Sequence, residues 1–205
     1  MFPAYRVKRE CLVTISVVRV SYQKSQLRAQ LLAGRKNLTP QARAEANAAL
    51  VAQVCALARD KKVAAYSPLA TEPGGPSFAD TLYQVTRQLW LPVSGAHGQL
   101  SWATYQGEGS LRPGALGILE PTGPRRDNAV LNELDLIFTP ALGVTPEGYR
   151  LGKGGGYYDR ALATTATCTA VLLFDSEINA DIPVEPHDRP VDIVITPSAV
   201  HYLRQ

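Results

Sequence analysis

The chain has few cysteines, no long apolar run and little excess charge, and each shortage excludes a class of protein. Its cysteines, Cys11, Cys55 and Cys168, are odd in number, widely spaced and set among apolar residues. This pattern has neither the spacing of a metal site nor that of a disulfide framework, and it predicts reduced thiols in a cytoplasmic protein. No segment approaches the ~20 consecutive apolar residues of a membrane-spanning helix, so we expect no membrane partner.

Charges of the two signs are almost balanced. The formal net charge is +3 over 205 residues, which suits a small anionic substrate and is too weak to indicate a nucleic-acid partner. The histidines, His97, His187 and His201, are scattered and lack the spacing of a catalytic triad or a metal site. Hydrophobic residues make up 45% of the chain, enough for one sizeable core, and we expect one domain, as a monomer or a weak homodimer.

The first twenty residues differ from the rest of the chain. Basic residues precede an apolar run, as in a signal peptide, but Glu10 lies at its front, Arg19 closes it and no small-residue cleavage site follows. We predict that residues 1–20 are a leader, either disordered or an extra strand, or the product of a start codon placed too early. Residues 21–205 are predicted to form the functional domain.

Helix and strand patterns alternate along residues 21–205. One helix is predicted over residues 23–34, and a second runs to Asp60 from Thr39, an N-cap followed by proline. A third is predicted from the capping-box pattern Ser77-x-x-Asp80 through residue 89. Strands are predicted at residues 62–67, 89–93, 100–105, 135–140, 169–174 and 191–196. The alternation predicts an α/β fold, a single domain with a central, mostly parallel sheet flanked by helices.

The most informative stretch covers residues 135–162, DLIFTPALGVTPEGYRLGKGGGYYDRAL. The stretch predicts a strand, then the glycine loop (residues 152–156) and then a helix that starts at Tyr157. In this arrangement backbone N–H groups can surround phosphate oxygens. Lys153 adds a positive charge, and Asp159 adds a carboxylate that could hold a metal ion. The loop is not a Walker A motif, because Gly154 follows Lys153 where serine or threonine is required. The loop can be interpreted as a phosphate site or as a mobile surface loop, and the flanking strand and helix favour the phosphate site.

Other candidate residues have an ordinary explanation beside the functional one. Lys24 and Arg28 are four residues apart and project from one helix face, as solvated cations also do. Glu72 lies in a strand–helix loop, where α/β folds bind ligands, and Asp188 precedes the last predicted strand. Either carboxylate can instead be simply solvated. Trp102, in a strand pattern, is of a type more often found in the core than in a ligand site.

Taken together, these stretches resemble the 5-formyltetrahydrofolate cyclo-ligase family, also called 5,10-methenyltetrahydrofolate synthetase. The family signature, D-L-I-x-x-P followed by a glycine and N/Y-R-L-G-x-G-x-G-Y-Y-D, stands here as DLIFTPALGVTPEGYRLGKGGGYYDR. Other motifs of the family occur before and after this signature, in the family's order. They are K-x-x-L-R at residues 24–28, an acidic loop at residues 70–73, I-x-E-P at residues 118–121 and H-D-x-x-V-D at residues 187–192. The resemblance covers residues 21–200 and excludes only the leader and the last few residues.

The resemblance implies a ligase of one-carbon metabolism that uses ATP and Mg²⁺. Such an enzyme closes the formyl group of 5-formyltetrahydrofolate onto N10, giving 5,10-methenyltetrahydrofolate, ADP and phosphate. The residues it implies for catalysis are Lys153 and Arg150, and those it implies for Mg²⁺ are Asp159 and Asp188. The implied ATP contacts are Lys24, Arg28, Arg150, Leu151, Gly152, Lys153, Gly154, Gly155, Gly156, Tyr157 and Tyr158. The implied folate contacts are Ser67, Glu72, Trp102, Lys153, Gly154, Gly155, Gly156 and Tyr157.

One position departs from the family pattern, and two other functions stay open. Many members have a second lysine where this chain has Gly155, so Lys153 is expected to carry the positive charge of the loop alone. A sugar-phosphate isomerase or CoA-transferase-like enzyme would use the same loop as an anion cradle without ATP. A non-catalytic folate-binding module would bind folate without releasing ADP.

Overall fold

Helices and loops cover a central seven-stranded sheet. The computed structural model describes residues 9–114, 117–178, 181–185 and 188–203, with side chains from Val20 onward. The helices are α1 (Arg9–Asn37), α2 (Pro40–Ala58), α3 (Phe78–Tyr83) and α4 (Tyr157–Ala161). The strands are β1 (Lys62–Ala64), β2 (Gln88–Ser94), β3 (Leu100–Thr104), β4 (Leu111–Pro113), β5 (Leu119–Pro121), β6 (Leu136–Pro140), β7 (Gly143–Val144), β8 (Arg150–Leu151), β9 (Thr169–Leu172), β10 (Ile193–Ile195) and β11 (Val200–Tyr202).

The strand order in the large sheet is β11-β10-β9-β6-β1-β2-β3. Neighbouring strands are parallel except at the two edges, where β3 runs antiparallel to β2 and β11 antiparallel to β10. Strands inside a parallel sheet are covered on both faces and therefore read as continuous apolar runs, as in β9, whose residues are all buried. The predicted α/β fold, with a central and mostly parallel sheet, is confirmed.

Two layers of apolar side chains cover the two faces of the sheet. Neighbouring residues of a strand point to opposite faces, and so Phe138 and Ile137 of β6 lie in different clusters. Phe138 packs with residues of α2 and α3, namely Leu50, Val54, Phe78 and Leu82. Ile137 packs with Trp102, Leu131, Ala161 and Leu162, which places α4 on the opposite face. Each fully buried side chain of this size contributes about 1.5–3 kcal/mol to folding, so the sheet is a rigid support for its loops.

Helix α2 begins as its sequence predicts. Thr39 has an extended backbone, its Oγ1 accepts a hydrogen bond from the N–H of Ala42 at 3.1 Å, and Pro40 is the first helical residue. The proline ring fixes φ at a helical value and removes an N–H that would have had no partner. Leu50 and Val54, four residues apart and so on one face of the helix, are buried.

Helix α3 is shorter than predicted. No side-chain capping bond forms at Ser77, and the Asp80 carboxylate accepts a hydrogen bond from the hydroxyl of Tyr105 instead. The helix ends at Tyr83, and the N–H of Arg87 bonds the carbonyl of Lys61 at 2.9 Å, which starts the pairing of β2 with β1. A long-range contact and strand pairing therefore override the local helix signal.

The leader at residues 1–20 stays a prediction, although residues 9–20, for which a strand or disorder was expected, belong to helix α1 (Arg9–Asn37). Residues 4–33 contain no glycine or proline. The helix predicted over residues 23–34 can therefore continue towards the N-terminus without a helix-breaking residue. Residues 1–8 lie outside the described residues. None of the helices in the described part of the chain is long and apolar enough to cross a membrane.

A buried ion pair ties the C-terminal part of α1 to the sheet. Arg35 is only 1% exposed, and its Nε and Nη2 donate to the two carboxylate oxygens of Glu177 at 2.7 and 2.8 Å. Its Nη2 also donates to the carbonyl of Ala141, just after β6, at 2.6 Å. These bonds fix α1 beside the carboxyl ends of β6 and β9, where loops of α/β folds bind ligands.

Candidate active site

Four separate segments meet beside the carboxyl end of the central strands. They are α1, the loop that follows β1, the stretch from β8 through the glycine loop to α4, and the segment before β10. Three ion pairs each join two of the residues that the sequence singles out. The pairs are Lys153 Nζ with Glu72 Oε1 at 2.7 Å, Arg150 Nη2 with Asp159 Oδ1 at 2.8 Å, and Lys24 Nζ with Asp188 Oδ2 at 3.0 Å. Every pair combines a predicted phosphate-binding cation with a predicted folate or metal carboxylate.

Glu72 is held by both of its carboxylate oxygens. The residue is 6% exposed, its Oε2 accepts a hydrogen bond from the N–H of Leu69 at 2.8 Å, and its Oε1 contacts Lys153. A buried carboxylate is stable only when it is paired and hydrogen-bonded. The Lys153 side chain is 44% exposed, so it can move away from Glu72 when a donor of a ligand takes its place at the carboxylate.

Two arginines fix the backbone of the glycine loop. Arg28 Nε of α1 donates to the carbonyl of Gly152 at 2.9 Å. Arg160 Nη2 donates to the carbonyl of Gly155 at 2.5 Å, and its Nε donates to the carbonyl of Gly98 in the turn before β3 at 3.0 Å. Gly154 has φ +98°, a backbone conformation that glycine adopts without strain. Lys153 is the cation of the loop itself, and Arg28 and Arg160 add positive charge from the elements beside it.

The helix predicted after the glycine loop is confirmed, but it has only five residues. It starts after Gly156, which has φ +65°, and it carries Asp159 in its first turn. The strand directly before the loop is β8, which pairs with β7 in a hairpin, and not the long strand β6. The positive charge of the site therefore comes mainly from side chains and not from a long helix dipole.

Lys24 connects α1 to the segment before β10. It is 9% exposed, and its Nζ contacts Glu185 Oε2 at 2.7 Å as well as Asp188. Burial lowers the pKa of Lys24, but hydrogen bonds to Glu185 and Asp188 outweigh that effect and leave the pKa above its ordinary value. The ammonium group therefore stays charged at neutral pH. His187, part of the same motif, lies outside the described residues.

Two buried donors beside these ion pairs have no hydrogen-bond partner among the described residues. They are Nε of Arg150, whose side chain is 4% exposed, and the hydroxyl of Tyr158. Burial, and then the nearby charge of Glu72, raises the pKa of Tyr158, so its hydroxyl stays protonated. Buried donors are normally satisfied, so these two are candidates for hydrogen bonds to a ligand.

Trp102 is not in a position to stack on a ligand, which corrects its predicted role. It is 0% exposed, and its Nε1 donates to Asn128 Oδ1 at 2.9 Å. Its ring meets that of Tyr158 edge to face, with centroids 6.3 Å apart. Strand alternation turns it towards α4, so it supports Tyr158 from the core. Ser67, another predicted folate contact, donates from Oγ to the carbonyl of Leu119 at 2.9 Å.

The carboxylates suit a metal ion that arrives with phosphate. In the described part of the chain no three histidine, cysteine or acidic side chains cluster as metal ligands. Mg²⁺ commonly takes one or two carboxylates and completes its shell with phosphate oxygens and water. Asp159 and Asp188 fit that donor set, since each is now neutralised by a cation that a phosphate group would attract.

The fold and the ion-paired charges beside a glycine loop are those of an α/β protein suited to charged small molecules. The model of the 5-formyltetrahydrofolate cyclo-ligase family matches residues 20–197, and the chain belongs to this family. It is therefore a ligase that forms a C–N bond, with a place in folate and one-carbon metabolism.

Named relatives and a solved structure agree with this assignment. The 5-formyltetrahydrofolate cyclo-ligase of Mycolicibacterium smegmatis is 37% identical over 183 residues, which cover 85% of this chain and 93% of the relative. The protein of that name from Escherichia coli is 33% identical over 137 residues, which cover 64% of this chain and 73% of the relative. The structure of 5,10-methenyltetrahydrofolate synthetase from Aquifex aeolicus aligns with a TM-score of 0.77 at 30% identity, covering 89% of this chain and 93% of that chain.

Proposed function

We propose that the protein uses ATP and Mg²⁺ to convert 5-formyltetrahydrofolate into 5,10-methenyltetrahydrofolate, with release of ADP and phosphate. We further propose that it acts in the cytoplasm as a monomer or weak homodimer. The observation that carries the catalytic proposal is the set of three ion pairs between Lys153 and Glu72, Arg150 and Asp159, and Lys24 and Asp188. Family membership supplies the reaction class, and the paired charges suit these substrates.

The ion pairs suit an exchange of partners when the substrates bind. ATP brings negative charge to Lys24, Arg150 and Lys153, and the carboxylates of Asp159 and Asp188 can then contribute oxygen ligands to Mg²⁺. The pterin ring of the folate has an edge of N–H donors, which the carboxylate of Glu72 can accept in a bidentate way. The cations and carboxylates that these substrates need are already gathered at one place, and substrate binding exchanges their partners.

The proposed reaction begins with the formyl oxygen, because the carbonyl of an N-formyl group is a poor electrophile. The oxygen takes the γ-phosphoryl group of ATP, ADP leaves, and the product is an iminium phosphate. N10 then attacks the activated carbon and loses its proton, and the C–O bond breaks to release phosphate. Mg²⁺, when bound, supplies neutralisation of phosphate charge. In-line phosphoryl transfer depends mainly on positioning and charge stabilisation, which are the tasks of Lys153, Arg150 and the backbone of the glycine loop.

A direct assay tests the proposal. Purified protein with 5-formyltetrahydrofolate, ATP and Mg²⁺ should develop the near-ultraviolet absorbance of the methenyl product, with one ADP formed per product. Omitting ATP should abolish the signal, which separates this enzyme from an ATP-independent isomerase or transferase. Folded protein that binds folate but yields neither product nor ADP would show a binding module and refute the proposal.

A further inference from the structure

One buried carboxylate at the carboxyl edge of the sheet has no task in the proposed reaction. Glu120, the acidic residue of the I-x-E-P motif, lies on β5 and is 7% exposed. Its Oε1 accepts a hydrogen bond from the N–H of Ser94, the last residue of β2, at 2.9 Å. Its Oε2 has no hydrogen bond or ion pair with the residues that the structure describes. Because both oxygens of a carboxylate accept hydrogen bonds, Glu120 has unused acceptor capacity.

The hairpin of β4 and β5 holds Glu120 without giving it a cation. Arg112 lies opposite Glu120 in the antiparallel pair, but its Nη1 donates to the carbonyls of Gly109 and Leu111 at 3.0 and 2.6 Å. A Cβ added at Gly114 would lie 2.1 Å from Glu120 Cδ, so the carboxyl group is packed directly against a glycine. Buried carboxylates are usually paired with a cation, and exceptions to this rule are expected at functional sites.

Contacts on two sides place Glu120 between the loop after β1 and the glycine loop. On one side, Ser67 of the loop after β1 donates from Oγ to the carbonyl of the residue before Glu120 at 2.9 Å. On the other side, Ser94 leads into the turn that contains Gly98, and a Cβ added at Gly98 would lie 3.1 Å from the carbonyl oxygen of Gly155. Since β1 and β2 are parallel, these loops leave the same edge of the sheet. We expect a substrate that spans the folate and phosphate contacts to pass beside this carboxylate.

The proposed reaction needs a proton acceptor that the other carboxylates of the site do not supply. When N10 attacks the activated carbon, its N–H proton has to leave, and a carboxylate within hydrogen-bond reach can take it. Glu72 is assigned to the pterin edge and Asp159 and Asp188 to Mg²⁺. Each of these three carboxylates also faces a cation. Glu120 has no other assigned task and no cation partner in the described part of the chain.

We propose that Glu120 is the base of this reaction and accepts the N10 proton of the folate at its Oε2. The inference rests on the proposed ATP-dependent cyclisation and adds the residue that removes the proton. The N10 lone pair forms the C–N bond, the N10 proton passes to the carboxylate, and the C–O bond breaks with its electron pair leaving on phosphate. Glu120 then gives the proton to water, which restores the carboxylate for the next turnover. The N–H of Ser94, bonded to Oε1, fixes the orientation of the carboxylate.

The variant Glu120→Gln tests this role with little change of shape. The oxygen of the side-chain amide can still accept the hydrogen bond from Ser94, and removing an unpaired buried charge should not destabilise the fold. The matched control is Glu108→Gln, an exposed glutamate before β4 whose side chain makes no hydrogen bond with the described residues. The measurements are kcat from the absorbance of the methenyl product, the dissociation constant of 5-formyltetrahydrofolate by calorimetry, and the melting temperature.

We expect kcat of Glu120→Gln to fall roughly 10²-fold, a usual contribution of a positioned acid or base, with folate affinity and melting temperature as in the wild type. The control should match the wild type in all three measurements. An unchanged kcat overturns the proposal. A dissociation constant raised by as much as kcat is lowered also overturns it, because the carboxylate would then hold the folate and not take its proton. Wild-type protein that forms no methenyl product refutes the proposed reaction itself, so the two failures can be told apart.

Discussion

At the scale of single residues, Glu72 and Lys153 illustrate how a site can be stable before its substrates arrive. The carboxylate is 6% exposed and the lysine side chain 44% exposed, so the acid is fixed and the cation is free to move. Burial of an unpaired carboxylate would be costly, and the lysine removes that cost. Sequence reasoning identified both residues, but their contact joins positions 72 and 153, and only the fold shows it.

Replacing Lys153 should slow the reaction without unfolding the protein. In Lys153→Ala we expect kcat to fall roughly 10²-fold, the size of effect seen when one group that stabilises transition-state charge is removed. Steady-state rates and a thermal melt measure the two properties. Lys36→Ala, another exposed lysine, is the control and should behave as wild type. Wild-type turnover in Lys153→Ala would remove the residue from catalysis.

At the scale of elements, the glycine loop is held between α1 and the turn before β3. Arg28 and Arg160 bind its two ends through the carbonyls of Gly152 and Gly155. Arg160 also binds Gly98, and a Cβ added at Gly98 would lie 1.8 Å from Arg160 Nη2. The turn therefore has to carry glycine at this position if Arg160 is to reach across it.

Loss of Arg160 should affect the rate more than the stability. The residue is exposed, so Arg160→Gln should leave the melting temperature close to that of the wild type. We expect kcat to fall by roughly tenfold, because small displacements of positioning groups slow phosphoryl transfer. Arg87→Gln, an exposed arginine without a described side-chain hydrogen bond, is the control. An unchanged kcat in Arg160→Gln would show that the glycine loop keeps its shape without the hydrogen bonds from Arg160 to Gly155 and Gly98.

Several elements were predictable because their cause is local. Apolar runs predicted β6 and β9, and the Thr39–Pro40 pair predicted the start of α2. The wrong predictions concern residues whose structure depends on a partner far away in the sequence. Arg160 was missed because its contact with Gly98 spans 62 positions, although it directly follows Asp159 in the family signature. Trp102 was misassigned because a strand pattern does not show that both faces of the strand are covered.

At the scale of the whole molecule, the Arg35–Glu177 pair decides where α1 lies, and α1 carries Lys24 and Arg28 into the site. The ion pair is almost fully buried, with side chains 1% and 4% exposed. Buried ion pairs often add little net stability, but removing one partner leaves an uncompensated charge. The pair therefore acts as a structural requirement for the orientation of the helix.

Breaking this pair should destabilise the protein strongly. Arg35→Met leaves the Glu177 carboxylate buried without its cation, and we expect a loss of about 3–5 kcal/mol in the free energy of unfolding. Urea denaturation measures it. The double variant Arg35→Met with Glu177→Leu should recover much of the loss, because neither charge remains. Equal destabilisation in the single and double variants would show that packing, and not the unpaired charge, is responsible.

Under the proposed binding of folate and ATP, the Lys153–Glu72 ion pair would also make the affinities of the two substrates depend on each other. A folate that takes Glu72 releases Lys153 towards phosphate, and a nucleotide that takes Lys153 exposes Glu72 to the pterin. Thermodynamic linkage requires that each substrate strengthen the binding of the other by the same factor. With only one substrate bound, one charge of the Lys153–Glu72 pair is left without its partner, so we expect either substrate to bind more weakly alone than when the other is present.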